Sequence, residues 1–228
     1  MKAAPARALE VGVLSVQGDH AAHARAVASL GHRARRVKAP EHLAGLAALV
    51  LPGGESTTML KLLQAEQLWE PLGAFCRSGR PVFGTCAGAI LLAQRVSAPA
   101  QPALGVLDID VERNAYGRQR DSFEAALDEP PPGMPGLCAV FIRAPVIRRT
   151  GRGVQVLARH GGHPVLVRCG PVWAATFHPE LTDDTRVLQA VLDEALREQA
   201  PSENAAREQG PHAEAGRVRS GRAQGGHA

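Results

Sequence analysis

Among the four cysteines and nine histidines of this 228-residue chain, one cysteine stands out by its neighbours. Cys86 lies in Gly84-Thr85-Cys86-Ala87-Gly88, after the apolar Val82-Phe83 and before the apolar run Ala89 to Ala93. Strand, Gly-x-Cys-x-Gly, helix is the cysteine form of a nucleophile elbow. The turn from strand to helix is so sharp that a neighbouring Cβ would collide with it, and glycine at 84 and 88 removes those collisions. Cys86 then stands at a helix N-terminus, where the dipole and free N–H groups favour a thiolate. The N–H of Ala87 points toward an oxyanion position. The pentapeptide alone fits a buried cysteine in a glycine-rich turn equally well. Cys76 falls on a helical stripe and Cys138 and Cys169 on strands, so all three read as small buried hydrophobes.

A cysteine nucleophile needs a base. His178 follows the apolar run Val172 to Phe177 and precedes Pro179-Glu180. It therefore stands at the C-terminal end of a strand, where α/β sheets place their sites. Glu180 can accept a hydrogen bond from one ring nitrogen of His178 and fix its tautomer, leaving the other nitrogen to serve Cys86. The remaining histidines are weaker candidates. His20 and His23 are one helical turn apart, and His160 and His163 flank a turn. Neither pair has cysteine or carboxylate companions, so no metal site is expected.

The elements around these residues alternate. Val11 to Val16 reads as a strand ended by Gln17-Gly18, and Asp19 to Leu30 as a helix closed by Gly31. Ala47 to Leu51 is a second strand, followed by Pro52-Gly53-Gly54 and a helix capped by Ser56 that carries Met59, Leu60 and Leu63. Trp69, Leu72, Phe75 and Cys76 mark another helix, Pro81 to Gly84 a strand, and Cys86 to Gln94 the helix after it. The second half is β-rich: Gly105 to Val111, Cys138 to Ile142, Val154 to Ala158, Pro164 to Arg168 and Val172 to Phe177. His160-Gly161-Gly162-His163 reads as a hairpin connection. Thr182 is the expected cap of a last helix, with Val187, Leu188, Val191, Leu192, Ala195 and Leu196 on one face. This pattern predicts an α/β fold in three layers. A mixed, mostly parallel sheet carries helices on both faces.

Composition limits the alternatives. The balance of 26 basic and 22 acidic residues leaves +4. That is too mild to argue for nucleic acid, and with three lysines in the chain it reads as arginine-rich composition. No apolar stretch approaches the ~18 residues of a membrane span, and no apolar core follows the first charges as in a signal peptide. The four cysteines form no CxxC pair, which fits a reducing compartment. A cytoplasmic protein that binds neither membrane nor nucleic acid is expected. From Pro201 onward the only large aliphatic residue is Val218. A segment with so little to bury does not offset its ordering entropy. The expected division is one domain over residues 8–198 and a disordered tail over 199–228.

Cys86 and His178-Pro179-Glu180, taken together, resemble the class I (triad) glutamine amidotransferases. Further blocks are similar to one branch, the glutaminase subunits of pyridoxal 5′-phosphate synthase. They are Gly12 to Gly18, Leu51 to Met59, Val111 to Gln119, Asp121 to Glu124, Val140 to Pro145 and Thr176 to Leu181. They keep the family's order and span residues 11–196. The resemblance implies hydrolysis of L-glutamine, with ammonia passed to a separate synthase subunit in a hetero-oligomeric complex and no cofactor required. It makes Cys86 the nucleophile, His178 the base and acid, and Glu180 the residue that orients His178. It implies glutamine binding by Gly54, Glu55, Ser56, Arg113, Ile142 and Arg143, and an oxyanion hole from Gly54 and Ala87. Gln17 and Gly18 resemble the loop that faces the partner, and activity is expected to stay low until docking. The histidine-rich segment Asp19 to His23 and the proline-rich Asp128 to Gly133 depart from the family pattern. Neither is expected to touch a catalytic residue. The competing readings are a glutaminase serving another synthase and a DJ-1-like cysteine protein.

Overall fold

In the computed structural model residues 7–113, 115 and 122–199 are described. The apolar runs form the centre of a seven-stranded sheet. Its strands are β1 (Glu10–Leu14), β2 (Arg33–Val37), β3 (Ala48–Leu51), β4 (Val82–Thr85), β10 (Gln155–His160), β11 (His163–Cys169) and β12 (Val172–Ala175). The order is β10-β11-β12-β4-β3-β1-β2. From β2 to β12 the neighbours are parallel, and β12-β11-β10 is antiparallel.

The central strands β3 and β12 are apolar at every position because both faces are covered. Leu49, Leu51, Val172 and Ala174 join one core cluster, with α2 (Ser56–Ala65), α3 (Trp69–Cys76) and α4 (Ala87–Leu92). Their alternating neighbours Ala48, Val50, Trp173 and Ala175 join the other, with α1 (His20–Ser29) and α5 (Arg186–Gln199). Successive side chains of a strand point to opposite faces, so the two clusters are the two sides of one sheet. The expected three-layer α/β arrangement is the one observed. Two smaller sheets flank it. One is three-stranded, from β5 (Ala93–Ser97), β6 (Leu107–Glu112) and β9 (Val146–Thr150), and the other pairs β7 (Phe123–Ala126) with β8 (Cys138–Phe141).

Three local expectations are corrected, and one strand stands where none was expected. The helix after Cys86 ends at Leu92, and Ala93 onward turns into β5 instead of continuing to Gln94. Every residue of α4 is buried, so its sequence carries no amphipathic period by which to read its length. The strand β2 was hidden by Arg33, Arg35 and Arg36; it is an edge strand in which only Val37 is buried, and basic edges of this kind discourage pairing with other chains. Ser56 does not cap α2. Glu55 does, accepting from the N–H groups of Thr57 and Thr58, while the Ser56 hydroxyl donates to Gln101 Oε1 at 3.1 Å. Thr182 closes the short 3-10 turn Pro179–Leu181, and α5 starts at Arg186, whose N–H donates to Asp184 Oδ1 at 3.1 Å.

The hairpin expected at His160 to His163 joins β10 and β11, with Gly161 at φ 58° and Gly162 at φ 75°. Two successive positive φ values are what a tight hairpin turn needs. Cys76 is buried, whereas Cys138 and Cys169 are only half-buried. The segment expected to be a tail lies outside the described residues from Ala200 on, as do Asn114, residues 116–119 and Asp121 of the Val111 to Gln119 and Asp121 to Glu124 blocks.

Candidate active site

Cys86 sits between β4 and α4 with φ 48° and ψ −102°. A non-glycine residue with positive φ costs on the order of 1–3 kcal/mol and persists only where its surroundings over-determine it. Here the Cys86 N–H donates to Ala175 O at 2.8 Å, and its carbonyl accepts from Ile90 N at 3.2 Å. The flanking glycines allow the turn. A Cβ on Gly84 would stand 2.7 Å from the Gly88 carbonyl carbon, and one on Gly88 would strike the Leu51 carbonyl oxygen. The elbow is therefore packed against the neighbouring strand β3 as well as against its own helix.

His178 follows β12 and is pinned by its backbone N–H, which donates to Val140 O at 2.9 Å. Its Nδ1 lies 2.8 Å from Glu180 Oε1. Its other nitrogen, Nε2, is buried and has no hydrogen-bond partner among the described residues. Gly53 explains how His178 and Cys86 share one spot. A Cβ there would strike the His178 ring and come within 3.3 Å of the Cys86 Cβ. Burial alone would lower the His178 pKa, but the Cys86 sulfur, in its thiolate form, and the Glu180 carboxylate outweigh it and push it up to about 10. Burial alone would raise Glu180, but hydrogen bonds from His178 and His23 hold it down at about 2. The arrangement stores an imidazolium beside a carboxylate and a sulfur. The thiol of Cys76 is the contrast: burial pushes it up to about 12, against a weaker opposing effect of Arg77.

A cavity of about 260 Å³ opens beside Cys86 and His178. Gln17, Gly54, Glu55, Ser56, Arg113, Ile142 and Arg143 all line it, together with Ile90 and Pro145, which sequence reasoning did not single out. Gly18, Ala87 and Glu180 are not part of its lining. The cavity is polar at its rim. The Arg113 guanidinium donates to Thr57 Oγ1 at 2.9 Å and to Glu55 Oε1 at 3.3 Å. Arg143 is exposed, at φ 43°. Gln17 Oε1 accepts from Glu55 N at 3.0 Å, so the end of β1 rests on the Gly53-Gly54 loop. Among the described residues there is no group of three His, Cys, Asp or Glu able to hold a metal ion.

The expectation that Asp19 to His23 stays clear of the triad is overturned. His23 is 1% exposed, and its Nε2 lies 3.3 Å from Glu180 Oε1 and 3.1 Å from Thr85 Oγ1. The signal was present but faint: His23 shares the buried face of α1 with Val27, four residues on.

The chain has known relatives. The family model of the SNO glutamine amidotransferases matches residues 13–197. The chain belongs to the SNO glutamine amidotransferase family. A protein of Thermotoga neapolitana named pyridoxal 5′-phosphate synthase subunit PdxT is 51% identical over 185 residues, covering 81% of this chain and 98% of that one. The subunit of the same name from Solibacter usitatus is 55% identical over 184 residues, covering 78% and 95%. A crystal structure described as a glutamine amidotransferase superposes with a TM-score of 0.76 at 51% identity, covering 81% and 98%. The fold extends further: a structure described as a putative GMP synthase subunit from Thermoplasma acidophilum reaches a TM-score of 0.62 at 16% identity. The family match ends two residues short of the end of α5.

Proposed function

We propose that this chain is a cytoplasmic glutaminase that hydrolyses L-glutamine to L-glutamate and ammonia and passes the ammonia to a pyridoxal 5′-phosphate synthase subunit. The observation that carries the reading is the buried line Cys86, His178, Glu180 opening on a cavity with Arg113 and Arg143 at its rim. The names of the relatives support the choice of partner. The glutaminase body is assigned to residues 8–198.

In the proposed reaction the Cys86 sulfur attacks the side-chain amide carbon of glutamine. The oxyanion that forms is held by the N–H groups of Gly54 and Ala87. His178 gives a proton to the leaving nitrogen, the C–N bond breaks, and a thioester remains. His178 then takes a proton from water, which attacks the thioester and releases glutamate and the free cysteine. Glu180 holds the ring of His178 in one tautomer throughout. Arg143, or Arg113 after letting go of Glu55, is suited to the substrate carboxylate by charge-assisted hydrogen bonds. Gly54, Glu55, Ser56 and Ile142 shape the rest of the substrate site, and Gln17 with Gly18 faces the synthase.

Replacing Cys86 by Ala tests this directly. With the synthase subunit present, glutamate release is expected to vanish while glutamine binding, followed by calorimetry, is kept. Glutamate release by Cys86→Ala at the parental rate would overturn the assignment. A glutamine-analogue electrophile should label Cys86 and none of Cys76, Cys138 or Cys169, as read by mass spectrometry of the peptides.

A further inference from the structure

Among the described residues His23 is the one histidine in contact with the proposed triad that the proposed reaction does not use. It reaches Glu180 from α1, an element that contributes nothing else to the site. Glu180 is a carboxylate with a fully buried side chain. Its Oε1 faces both His178 Nδ1 at 2.8 Å and His23 Nε2 at 3.3 Å, and its Oε2 has no hydrogen-bond partner among the described residues. A carboxylate only accepts, so the His23 tautomer that carries its hydrogen on Nε2 is the one that fits. Thr85 Oγ1, at 3.1 Å, meets the same nitrogen, and Thr85 is the residue before the nucleophile. His23 thus ties together the last residue of β4 and the carboxylate that orients the base.

We propose that His23 is a positioning residue, whose Nε2–H donates to Glu180 and so keeps that carboxylate aligned and ionised for His178. The inference rests on the glutaminase reading of the site. Without His23, the buried carboxylate would retain His178 alone as donor, and desolvation would favour its protonation. A protonated Glu180 no longer balances the imidazolium that develops on His178. The other titratable group at the small cavity between α1, Glu180 and the start of α5 is Asp184. Arg186 holds it in an ion pair at 2.6 Å. His20, one turn before His23, turns instead to Gly18 O at 3.2 Å and Arg36 at 3.1 Å. The role therefore belongs to His23 and is not shared by its neighbour.

The test compares His23→Leu, which keeps bulk and removes the N–H, with His23→Gln, whose amide nitrogen reaches about as far as Nε2. Glutamate release is measured on the full chain with the synthase subunit, from mildly acidic to alkaline pH. For His23→Leu, kcat is expected to fall about 10- to 100-fold, the size of one hydrogen bond to a charged group. KM for glutamine should hold, because His23 does not line the cavity. The acidic limb of the kcat profile should move to higher pH. His23→Gln should restore both kcat and the limb. If the Leu variant does not fold, His23→Asn, whose amide is withdrawn by one carbon, takes its place. Parental kcat and an unmoved acidic limb in the Leu or Asn variant would overturn the proposal. So would a Gln variant that folds as stably as the parent and is as impaired as the Leu variant. A parent chain that releases no glutamate with the synthase would overturn the glutaminase reading itself, and this inference with it. The Cys86→Ala control keeps the two failures distinguishable.

Discussion

Glu180 and His178 hold opposite charges in a place where neither would be charged alone, and this sets their pH behaviour. Glu180 is held down from 4.5 to about 2 by His178 and His23 against the effect of burial. Its contribution to stability is therefore complete above about 4.5 and is lost as pH falls through about 2. His178 is raised from 6.5 to about 10 by Cys86 and Glu180, again against burial. Its contribution is complete below about 6.5 and is lost as pH rises through about 10. Both are present in full only between those two ordinary values. Glu180→Gln removes the acid-side loss and leaves His178 with Cys86 as its main support. Melting curves taken across this range should show a flatter acid side than the parent and an alkaline decline that sets in at lower pH. By the same change kcat should fall on the order of 10²- to 10⁴-fold, as when the orienting carboxylate of a hydrolytic triad is neutralised. An unchanged kcat in Glu180→Gln would separate Glu180 from the chemistry. The grouping of Cys86 with His178 and Glu180, the proposed triad, was legible in the sequence because each residue sits in a short local pattern, the elbow for Cys86 and His-x-Glu for the others. His23 was not, because its partner lies across the sheet edge and only the fold brings the two together.

At the scale of elements, the site depends on one short helix fitting against one strand. Gly88 is a helical residue in α4, and by helix propensity alone alanine there would stabilise by about 1 kcal/mol. Packing reverses the sign. A Cβ on Gly88 would strike the Leu51 carbonyl oxygen and stand 2.9 Å from the Leu51 Cβ, and the backbone of a central strand cannot give way as a side-chain tip can. Gly88→Ala is expected to cost about 1–3 kcal/mol, the usual range for overpacking. Denaturant unfolding should show this as a lower midpoint with the slope unchanged. It should also lower kcat, since α4 carries Ala87 and Cys86 with it. A Gly88→Ala chain as stable as the parent would mean that α4 slides freely on β3. The central strands were readable because they are apolar on both faces, and the elbow because glycine marks it. The short β5 and the edge strand β2 were not. β5 follows a helix with no polar face, so no period announces the change. β2 carries three arginines, of which Arg33 and Arg35 pair with Glu10 on β1 at 2.7 and 2.9 Å. A single apolar residue pins that strand to the core.

For the whole molecule, the basic character divides unevenly between chemistry and composition. Residues 200–228 hold four arginines and three glutamates, so they account for +1 of the +4. Many arginines of the body are already paired with acids on its surface, Arg95 with Asp110, Arg148 with Glu112 and Arg168 with Glu194 among them. Such exposed pairs add little stability, but they leave a mixed surface unlike the one-sided basic face that nucleic acid needs. Every residue assigned to the site lies between Gln17 and Glu180, and the family match ends at residue 197. A chain stopped after Gln199 should therefore keep kcat, KM and melting temperature close to those of the full chain. Its activity should still depend on the synthase. The loop after β1 borders the cavity through Gln17 and packs on its floor: a Cβ on Gly18 would strike the Gly53 carbonyl, and one on Gly54 would strike the Gln17 side chain. A partner pressing on Gln17 and Gly18 would move the Gly53-Gly54 peptide, and with it the proposed oxyanion site. Glutamate release should be slow for either chain alone and rise together for both when the synthase subunit is added. Full activity of the isolated chains would show that this loop is already set for catalysis. A loss of synthase activation on removing residues 200–228 alone would place part of the docking surface beyond α5.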